Sequence, residues 1–253
     1  MEFRLIFFIF VLVSFSVLES YLTRRPNYLG SVRKVSNALL LVIGTVCSLL
    51  FFKVTPLAVS SFAKEQGIGL FNLWNISWWI EMLVGVVLLD FIIYWQHRYF
   101  HYSKFFWKFH RVHHLDSFLD ASTALRFHPI EIVFSLLIKA GFVLLLGLSV
   151  NTVLLFEIIL SSMAIFNHAN IQLPVRVEEL LRRFVVTPNF HVIHHHPDMD
   201  KHNSNYGFNL SIWDYLFKSY SEDKSYDFKK FDCGLEGERE DTLKGMLMSP
   251  FKK

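Results

Sequence analysis

Five long apolar stretches constrain the fold of this chain more than any other feature of its sequence. They occupy about residues 3–18, 38–59, 78–95, 130–150 and 153–166. Because a helix needs roughly 20 apolar residues to cross a bilayer, these stretches predict four or five transmembrane helices. Only Asn151 and Thr152 separate the last two stretches, which predicts a helical hairpin that either crosses the bilayer or dips into it.

The composition agrees with a membrane protein. Hydrophobic residues make up 53% and charged residues 19% of the 253 positions, which is too apolar for a soluble domain of this length. The net charge of +3 is small, and the basic residues flank apolar stretches instead of forming one continuous stripe. We therefore expect no nucleic-acid partner.

The positions of the basic residues predict the orientation of the helices. Arg24, Arg25, Arg33 and Lys34 follow the first stretch, whereas the connection before the third carries Lys64 alone. Since cytoplasmic loops are rich in Lys and Arg, the first connection should be cytoplasmic. The first stretch lacks a small-residue cleavage site, so we expect a retained helix and not a signal peptide.

The histidines are confined to one part of the chain. All twelve lie between His97 and His202, and the topology above places both of their clusters on the cytoplasmic side. Only two cysteines occur, so a thiolate metal cluster is excluded and any metal must bind nitrogen or oxygen. Imidazole suits iron, zinc, copper or nickel.

The histidine spacing favours a dinuclear metal centre. Two histidines four residues apart lie one helical turn apart on one face, and the pattern HxxHH occurs twice. Eight imidazoles are too many for one ion, whereas two ions of four to six ligands each can use them. The eight are His97, His101, His110, His113, His114, His191, His194 and His195.

Other classes of protein remain as alternatives. A bis-histidine haem protein for electron transfer would hold its haem between facing helices, and a metal transporter would need more polar residues within its apolar stretches. A zinc hydrolase would use three ligands and an open position, which is fewer than this chain offers.

Three histidine boxes, HRYFH, HRVHH and HVIHH, carry a resemblance to a known family. Together with RFHPIE, NHANI and VVTPNFHVIHHHPDMDKHNSNYGFNLSIWDYLF, they span about residues 79–220. In this order and spacing they resemble the fatty acid hydroxylase and sterol desaturase superfamily, and in detail its bacterial branch. The resemblance implies an all-α integral membrane fold, in which four or five transmembrane helices lie beneath a cytoplasmic helical cap that carries the boxes.

The resemblance also implies a cofactor and its ligands. It implies two iron ions, with dioxygen as co-substrate, and with zinc as a replacement on expression. The eight histidines above match the family ligands, and His168 matches a ninth. Some members carry another histidine four residues later, where this chain has Gln172.

Several further polar residues are candidates for holding the ligands in place. We predict that Asp90, seven residues before His97, accepts the imidazole N–H of that histidine. Asn205 and Tyr206 belong to a polar turn that, by the resemblance, closes over the metals. Asp214 is a further candidate carboxylate, although its segment SIWDYLF also fits an amphipathic helix at the membrane surface. His128, His196 and His202 either orient a ligand or water or are ordinary hydrogen-bonded histidines.

The function implied by the resemblance is oxidation of a C–H bond in a fatty acyl, sterol-like or other membrane lipid. Hydroxylation is expected first, and desaturation of a sterol or isoprenoid is the alternative. No haem, flavin or iron–sulfur motif is visible, so electrons should come from a separate reductase, ferredoxin or cytochrome b5 type protein. A bacterial inner membrane is favoured over the endoplasmic reticulum.

The predicted organisation has three parts. Residues 1–77 form N-terminal membrane helices, 78–220 form the catalytic region, and 221–253 form a polar cytoplasmic tail that we expect to be loosely structured.

Overall fold

The fold is all-α, as predicted. The computed structural model describes residues 2–26, 30–52, 55–74, 76–223 and 233–252. Within these ranges the only strand-like pairings are two isolated bridges, Thr23 with Ile171 and Val185 with Leu210. The α-helices are α1 Glu2–Tyr21, α2 Ser31–Phe52, α3 Pro56–Glu65, α4 Trp78–Tyr102, α5 Lys104–His114, α6 Pro129–Leu146, α7 Val150–His168, α8 Val175–Leu181, α9 Pro188–His194, α10 Met199–His202, α11 Ile212–Leu216 and α12 Leu243–Met248.

Five of these helices are long and apolar enough to cross a membrane. They are α1, α2, α4, α6 and α7, each with at least 18 residues. Large apolar side chains such as Phe3 and Phe10, both 65% exposed, cover their outer surfaces. Such surfaces suit a lipid solvent and would be costly in water. The chain is therefore an integral membrane protein.

The second apolar stretch does not form one helix, contrary to the prediction of a span at 38–59. Helix α2 begins at Ser31 and ends at Phe52, and α3 begins at Pro56. The Thr55 side chain accepts a hydrogen bond from the backbone of Ala58 at 3.1 Å, which caps α3. Proline at the first helical position lacks an N–H and favours a helix start there. The predicted residues 53–54 lie outside the described part of the chain.

The predicted hairpin is present, but its turn lies earlier than expected. Asn151 and Thr152 belong to α7, and the turn consists of residues 147–149. Gly147 ends α6 in the left-handed region with φ 70°, which glycine adopts without a steric penalty. The Ser149 side chain then accepts a hydrogen bond from the backbone N–H of Thr152 and begins α7. Both helices keep the length of a membrane span.

Both histidine-rich regions lie at one end of the helix bundle. The carboxyl ends of α1, α4 and α7 meet the amino ends of α2 and α6 there, while α3 packs at the opposite end, where Ser60 donates a hydrogen bond to the Leu148 carbonyl at 2.6 Å. At the histidine end, α5 contacts α4 and α6, and α9 contacts α7.

A buried ionic network fastens the loop after α5 to the membrane helices. Arg33 of α2 pairs with Asp116 at 2.7 Å and also with Asp120, and all three side chains are buried. Arg126 donates to the Val112 carbonyl at 2.8 Å. Buried charges are tolerated only when paired in this way, so the network fixes the position of the loop relative to α2.

The described part of the C-terminal tail is folded, contrary to the expectation of a loose segment. The backbone N–H of Gly234 donates to the His195 carbonyl at 2.8 Å, and Met246 of α12 is fully buried. Leu243, Met246 and Leu247 follow the spacing of a helix face and pack against α2. Part of the predicted tail, residues 224–232, lies outside the described residues.

Candidate metal centre

The nine histidines predicted as ligands gather into two groups. Within each group, one nitrogen of every histidine lies within 4.8 Å of those of the others. The five-histidine group consists of His97, His101, His110, His114 and His194; the four-histidine group consists of His113, His168, His191 and His195. Each group draws ligands from both histidine-rich regions.

The HxxHH pattern explains how two boxes serve two groups. In α5, His110 and His114 lie four residues apart on one helix face and join the five-histidine group, whereas His113 faces the other group. In and just after α9 the distribution is reversed, because His191 and His195 join the four-histidine group and His194 joins the other. The two boxes therefore interlock.

Backbone carbonyls fix the imidazoles of the four-histidine group. His113 Nδ1 contacts the Arg126 carbonyl at 3.2 Å, and His168 Nδ1 contacts the Ala164 carbonyl at 2.7 Å. A carbonyl only accepts, so each Nδ1 donates and, in a neutral ring, each Nε2 carries a lone pair. These two Nε2 atoms face each other at 3.0 Å. Two lone pairs at this distance need a cation between them.

The five-histidine group repeats this arrangement. His97 Nδ1 contacts the Tyr206 carbonyl and His194 Nδ1 contacts the Ser204 carbonyl, both at 2.8 Å. His97 Nε2 lies 3.1 Å from His110 Nε2. The fixed Nδ1–H bonds again direct the Nε2 lone pairs inward, as in known histidine metal sites.

The spacing of these nitrogens fits metal ions. Two nitrogens bound at about 2.1 Å and at right angles would lie about 3.0 Å apart, close to the observed separations. His194 Nε2 and both ring nitrogens of His195 are buried without a hydrogen-bond partner among the described residues. Buried polar atoms are rarely left in this state unless something binds them. The residues present therefore fit two metal ions.

Burial also keeps the imidazoles in the form that binds metal. It lowers the pKa of His110 to about 3, and it lowers the pKa values of His113, His114, His191, His194 and His195 well below their usual range, with neighbouring histidines adding to the effect. These rings are neutral at pH 7. Because a ligand imidazole must be neutral, no proton has to be removed before metal binds.

Glu131 belongs to the site and was not singled out from the sequence. It is buried in the first turn of α6, and its carboxylate accepts a hydrogen bond from His110 Nδ1 at 2.6 Å. A carboxylate on the far nitrogen of a ligand histidine raises the basicity of that ligand. The sequence feature that could have identified Glu131 is its position in the segment RFHPIE, three residues after His128.

Asp90 does not accept a hydrogen bond from His97, which corrects the prediction. Its carboxylate instead accepts from the backbone of Asn209 and Leu210, both at 3.2 Å, and from the Trp213 indole at 2.8 Å. Asp90 lies nearly two helical turns before His97 and binds the segment that follows Tyr206. The acceptor for the His97 N–H is therefore the Tyr206 carbonyl and not Asp90.

Asp214 and Asn205 hold the same turn. Asp214 is fully buried and accepts hydrogen bonds from the backbone N–H groups of Tyr206 and Gly207 at 2.8 and 2.6 Å. Asn205 has φ 52°, and its side-chain amide donates to the Phe190 carbonyl at 2.9 Å. Both side chains thus support the Tyr206 carbonyl that orients His97. Trp213 in this segment packs on α4, while Leu216 is 62% exposed, so SIWDYLF has one buried and one exposed face.

The three remaining histidines lie outside the two groups. His128 caps α6, accepting from the backbone of Ile130 at 3.2 Å, and His196 accepts from the backbone of Asp198 at 2.9 Å. His202 is different, because it is buried with its ring centroid 4.3 Å from that of His114 and 5.2 Å from that of His101. The indole of Trp107 lies against the same three rings, at 4.9 to 5.5 Å between centroids.

Comparison with known proteins identifies relatives of this chain. A family model described as fatty acid hydroxylase matches residues 82–219. The chain is 26% identical over 200 residues to ornithine lipid hydroxylase OlsE of Rhizobium tropici, covering 78% of this chain and 59% of that protein. It is 30% identical over 178 residues to alkylglycerol monooxygenase of Homo sapiens, covering 68% and 37%. It is 26% identical over 155 residues to lathosterol oxidase of Mus musculus, covering 60% and 50%.

The chain spans 59%, 37% and 50% of the length of these three relatives, less than two thirds in each case. No solved structure matches the chain significantly. The matched residues 82–219 include both histidine groups.

Proposed function

Because this chain belongs to the fatty acid hydroxylase family, we propose that it is a lipid-modifying oxygenase that uses two iron ions, dioxygen and external electrons to hydroxylate a C–H bond of a membrane lipid. Relatives whose names include a lipid hydroxylase, an alkylglycerol monooxygenase and a sterol oxidase support this class of reaction.

The observation that carries the proposal is the opposed lone pairs of the histidine groups. In both groups, rings with Nδ1 committed to a carbonyl or carboxylate direct Nε2 at a neighbouring Nε2 within 3.1 Å. Neutral imidazoles in this arrangement repel one another unless a cation lies between them. Nine ligands divided into two groups exceed what a zinc hydrolase needs.

Iron in these groups would supply the activation of dioxygen that breaking an unactivated C–H bond requires. The residues of the chain hold and orient that chemistry. The carbonyls of Arg126, Ala164 and Tyr206 fix three of the imidazole planes. Glu131 makes His110 a more basic ligand. Burial excludes water, which protects the site from side reactions.

The surroundings of the site support a lipid substrate and a separate electron donor. The histidines lie at the ends of the membrane helices, where a lipid can approach from the bilayer. We propose that this end faces the cytoplasm, since Arg24, Arg25, Arg33 and Lys34 lie there. We propose a bacterial inner membrane as the location. The electron donor would be a separate protein of the reductase, ferredoxin or cytochrome b5 type.

Labelled dioxygen tests this function directly. The full chain in lipid nanodiscs, reconstituted with ferrous iron and supplied with a reducing system, is exposed to oxygen-18 gas and its lipids are analysed by mass spectrometry. We expect one labelled oxygen atom per product molecule. The His168→Ala variant should form no product, whereas His196→Ala, which changes a histidine outside both groups, should keep activity.

The same measurement distinguishes the alternatives. A new double bond without label in the lipid would assign desaturation instead of hydroxylation. Lipid products that form equally without oxygen, or an iron-loaded protein that leaves every lipid class unchanged, would contradict the proposal.

A further inference from the structure

A cavity inside the helix bundle leads to the five-histidine group. It has a volume of about 360 Å³ and is lined mainly by α2, α4, α6 and α7, together with Arg4 of α1 and Pro56 of α3. His97 and His110 form part of its lining, with Phe100 and Phe208 beside them. Its walls are mainly apolar, and its size lies in the range of small-molecule sites. The cavity can therefore hold a ligand against the candidate metal centre.

One face of α6 gives the cavity a polar stripe. Glu131, Ser135 and Lys139 lie four residues apart along this helix and all line the cavity. Glu131 contacts His110, and Ser135 accepts a hydrogen bond from Gln96 at 2.8 Å. From Glu131 to Lys139 the helix rises about 12 Å. The stripe thus runs from the histidines to a second polar region.

That second region carries an excess of positive charge. Lys139 and Arg4 both pair with Glu157, so two cations share one carboxylate. The side chains of Lys139 and Glu157 are only 13% and 12% exposed. Charged groups at this depth of a membrane protein are costly, and they usually face a cavity where they serve function. One net positive charge at a cavity wall favours an anionic ligand.

The lining of the cavity changes along its length. At the histidines it contains Phe100, Phe208 and Glu131, which contacts His110, whereas Lys139 and Arg4 lie farther along. These two cationic side chains are thus set apart from the histidines. Their charge favours an orientation in which an amphiphile places its anionic group at Lys139 and Arg4.

We infer that this cavity binds a single-chain lipid with an anionic end group, such as a carboxylate, held at Lys139 and Arg4 with its alkyl chain directed to His97 and His110. This inference rests on the proposed function for the reaction itself. The distance along α6 places a mid-chain carbon at the histidines, and not the carbon next to the carboxylate. By holding the anionic group, Lys139 and Arg4 would determine which carbon of the chain is oxidised.

Photo-crosslinking tests the inference without turnover. The iron-loaded chain in nanodiscs is labelled under nitrogen with palmitate carrying a diazirine at mid-chain, and the crosslinked residues are mapped by mass spectrometry. We expect labels at cavity residues near the histidines, such as Phe100 and Phe208. A diazirine placed next to the carboxylate should instead label Leu49 or Leu160, which line the cavity farther from the histidines.

Variants and probes of different charge test the role of the cations. Lys139→Gln should lower cavity labelling by palmitate about tenfold, the equivalent of one good charged contact, but leave labelling by a hexadecanol probe unchanged. Lys64→Gln, which changes an exposed lysine of α3, is the matched control and should have no effect. Leu136→Trp, which fills the cavity without changing its charge, should reduce labelling by both probes.

The outcomes separate this inference from the proposed function. Equal labelling by palmitate, hexadecanol and hexadecylamine probes, or reversed positions of the two diazirines, would overturn the inference even if labelled oxygen enters a lipid. Specific labelling with the expected polarity would support it even if no oxidation were found. If a hexadecyl phosphate probe labelled the cavity more strongly than palmitate, the inference of an anionic ligand would stand. The end group of that ligand would then be a phosphate and not a carboxylate.

Discussion

The five-histidine group and the four-histidine group are built from the same boxes, but their surroundings differ. His97 and His110 of the five-histidine group line the cavity, and Glu131 supports His110. The four-histidine group is fully enclosed, and Phe127 stacks on His113 with ring centroids 4.4 Å apart. In the proposed arrangement the substrate meets the five-histidine group, while the four-histidine group completes the centre from within the protein.

Removing one ligand from each group should produce the largest effects. His168→Ala leaves three ligands in the four-histidine group, and His194→Ala leaves four in the other. We expect each variant to lose about one of the two proposed iron ions and all oxygenase activity, because the proposed reaction uses both ions. Iron analysis of the reconstituted variants, together with circular dichroism to verify folding, measures this. Loss of both ions in either variant would show that the two groups are not independent sites.

Glu131→Gln should weaken one ion selectively. The amide cannot supply the negative charge that His110 now contacts, so iron affinity at the five-histidine group should fall about 10–100-fold. Affinity at the four-histidine group, which is supported by carbonyls, should stay the same. Competition with a chelator resolves the two affinities, and Glu65→Gln, at an exposed position of α3, serves as the control. An equal loss at both groups would contradict the division proposed here.

Asp214→Asn should have a smaller effect on iron affinity. It should act on the five-histidine group through the backbone of Tyr206, whose carbonyl contacts His97. An asparagine can accept from Tyr206 or Gly207 but offers one oxygen where two now serve. The unsatisfied N–H should lower the free energy of unfolding by about 1–3 kcal/mol. Iron affinity should decrease only several-fold, through the position of His97. Thermal unfolding and chelator competition measure the two changes, and unchanged stability would remove Asp214 from this role.

Gln172→His should change almost nothing. Gln172 is exposed, and its backbone N–H donates to the Leu22 carbonyl at 3.0 Å, so this position lies outside the four-histidine group. A histidine here should not raise iron affinity by more than the error of the titration. Tighter binding at the four-histidine group would show that the loop around residue 172 moves toward the metals, and would make the two groups equal in ligand number.

The sequence was most informative where one periodicity dominates. Regular spacing identified His97 with His101 and both HxxHH boxes, since such residues share helix faces whatever the tertiary fold. The membrane helices, expected to number four or five, were predictable from the length of their apolar stretches. Their exact ends were not, because Thr55 and Gly147 interrupt apolar runs through capping and backbone conformation that hydropathy does not report.

Long-range contacts were beyond the reach of the sequence pattern. Asp90 lies on the expected helix, but its partner is a backbone turn more than a hundred residues later. Glu131 reaches His110 only because α5 and α6 pack together. The folded tail was missed because the spacing of Leu243, Met246 and Leu247 covers little more than one helical turn.

The most direct test of this account is the iron content of the full chain after anaerobic reconstitution with ferrous iron, measured beside the His113→Ala/His194→Ala double variant. The account predicts about two iron ions per chain in the wild type, bound mainly by nitrogen in the X-ray absorption spectrum, and almost none in a folded double variant. A folded wild type that binds no iron, or a double variant that binds as much as the wild type, would contradict the claim that both boxes build one metal centre.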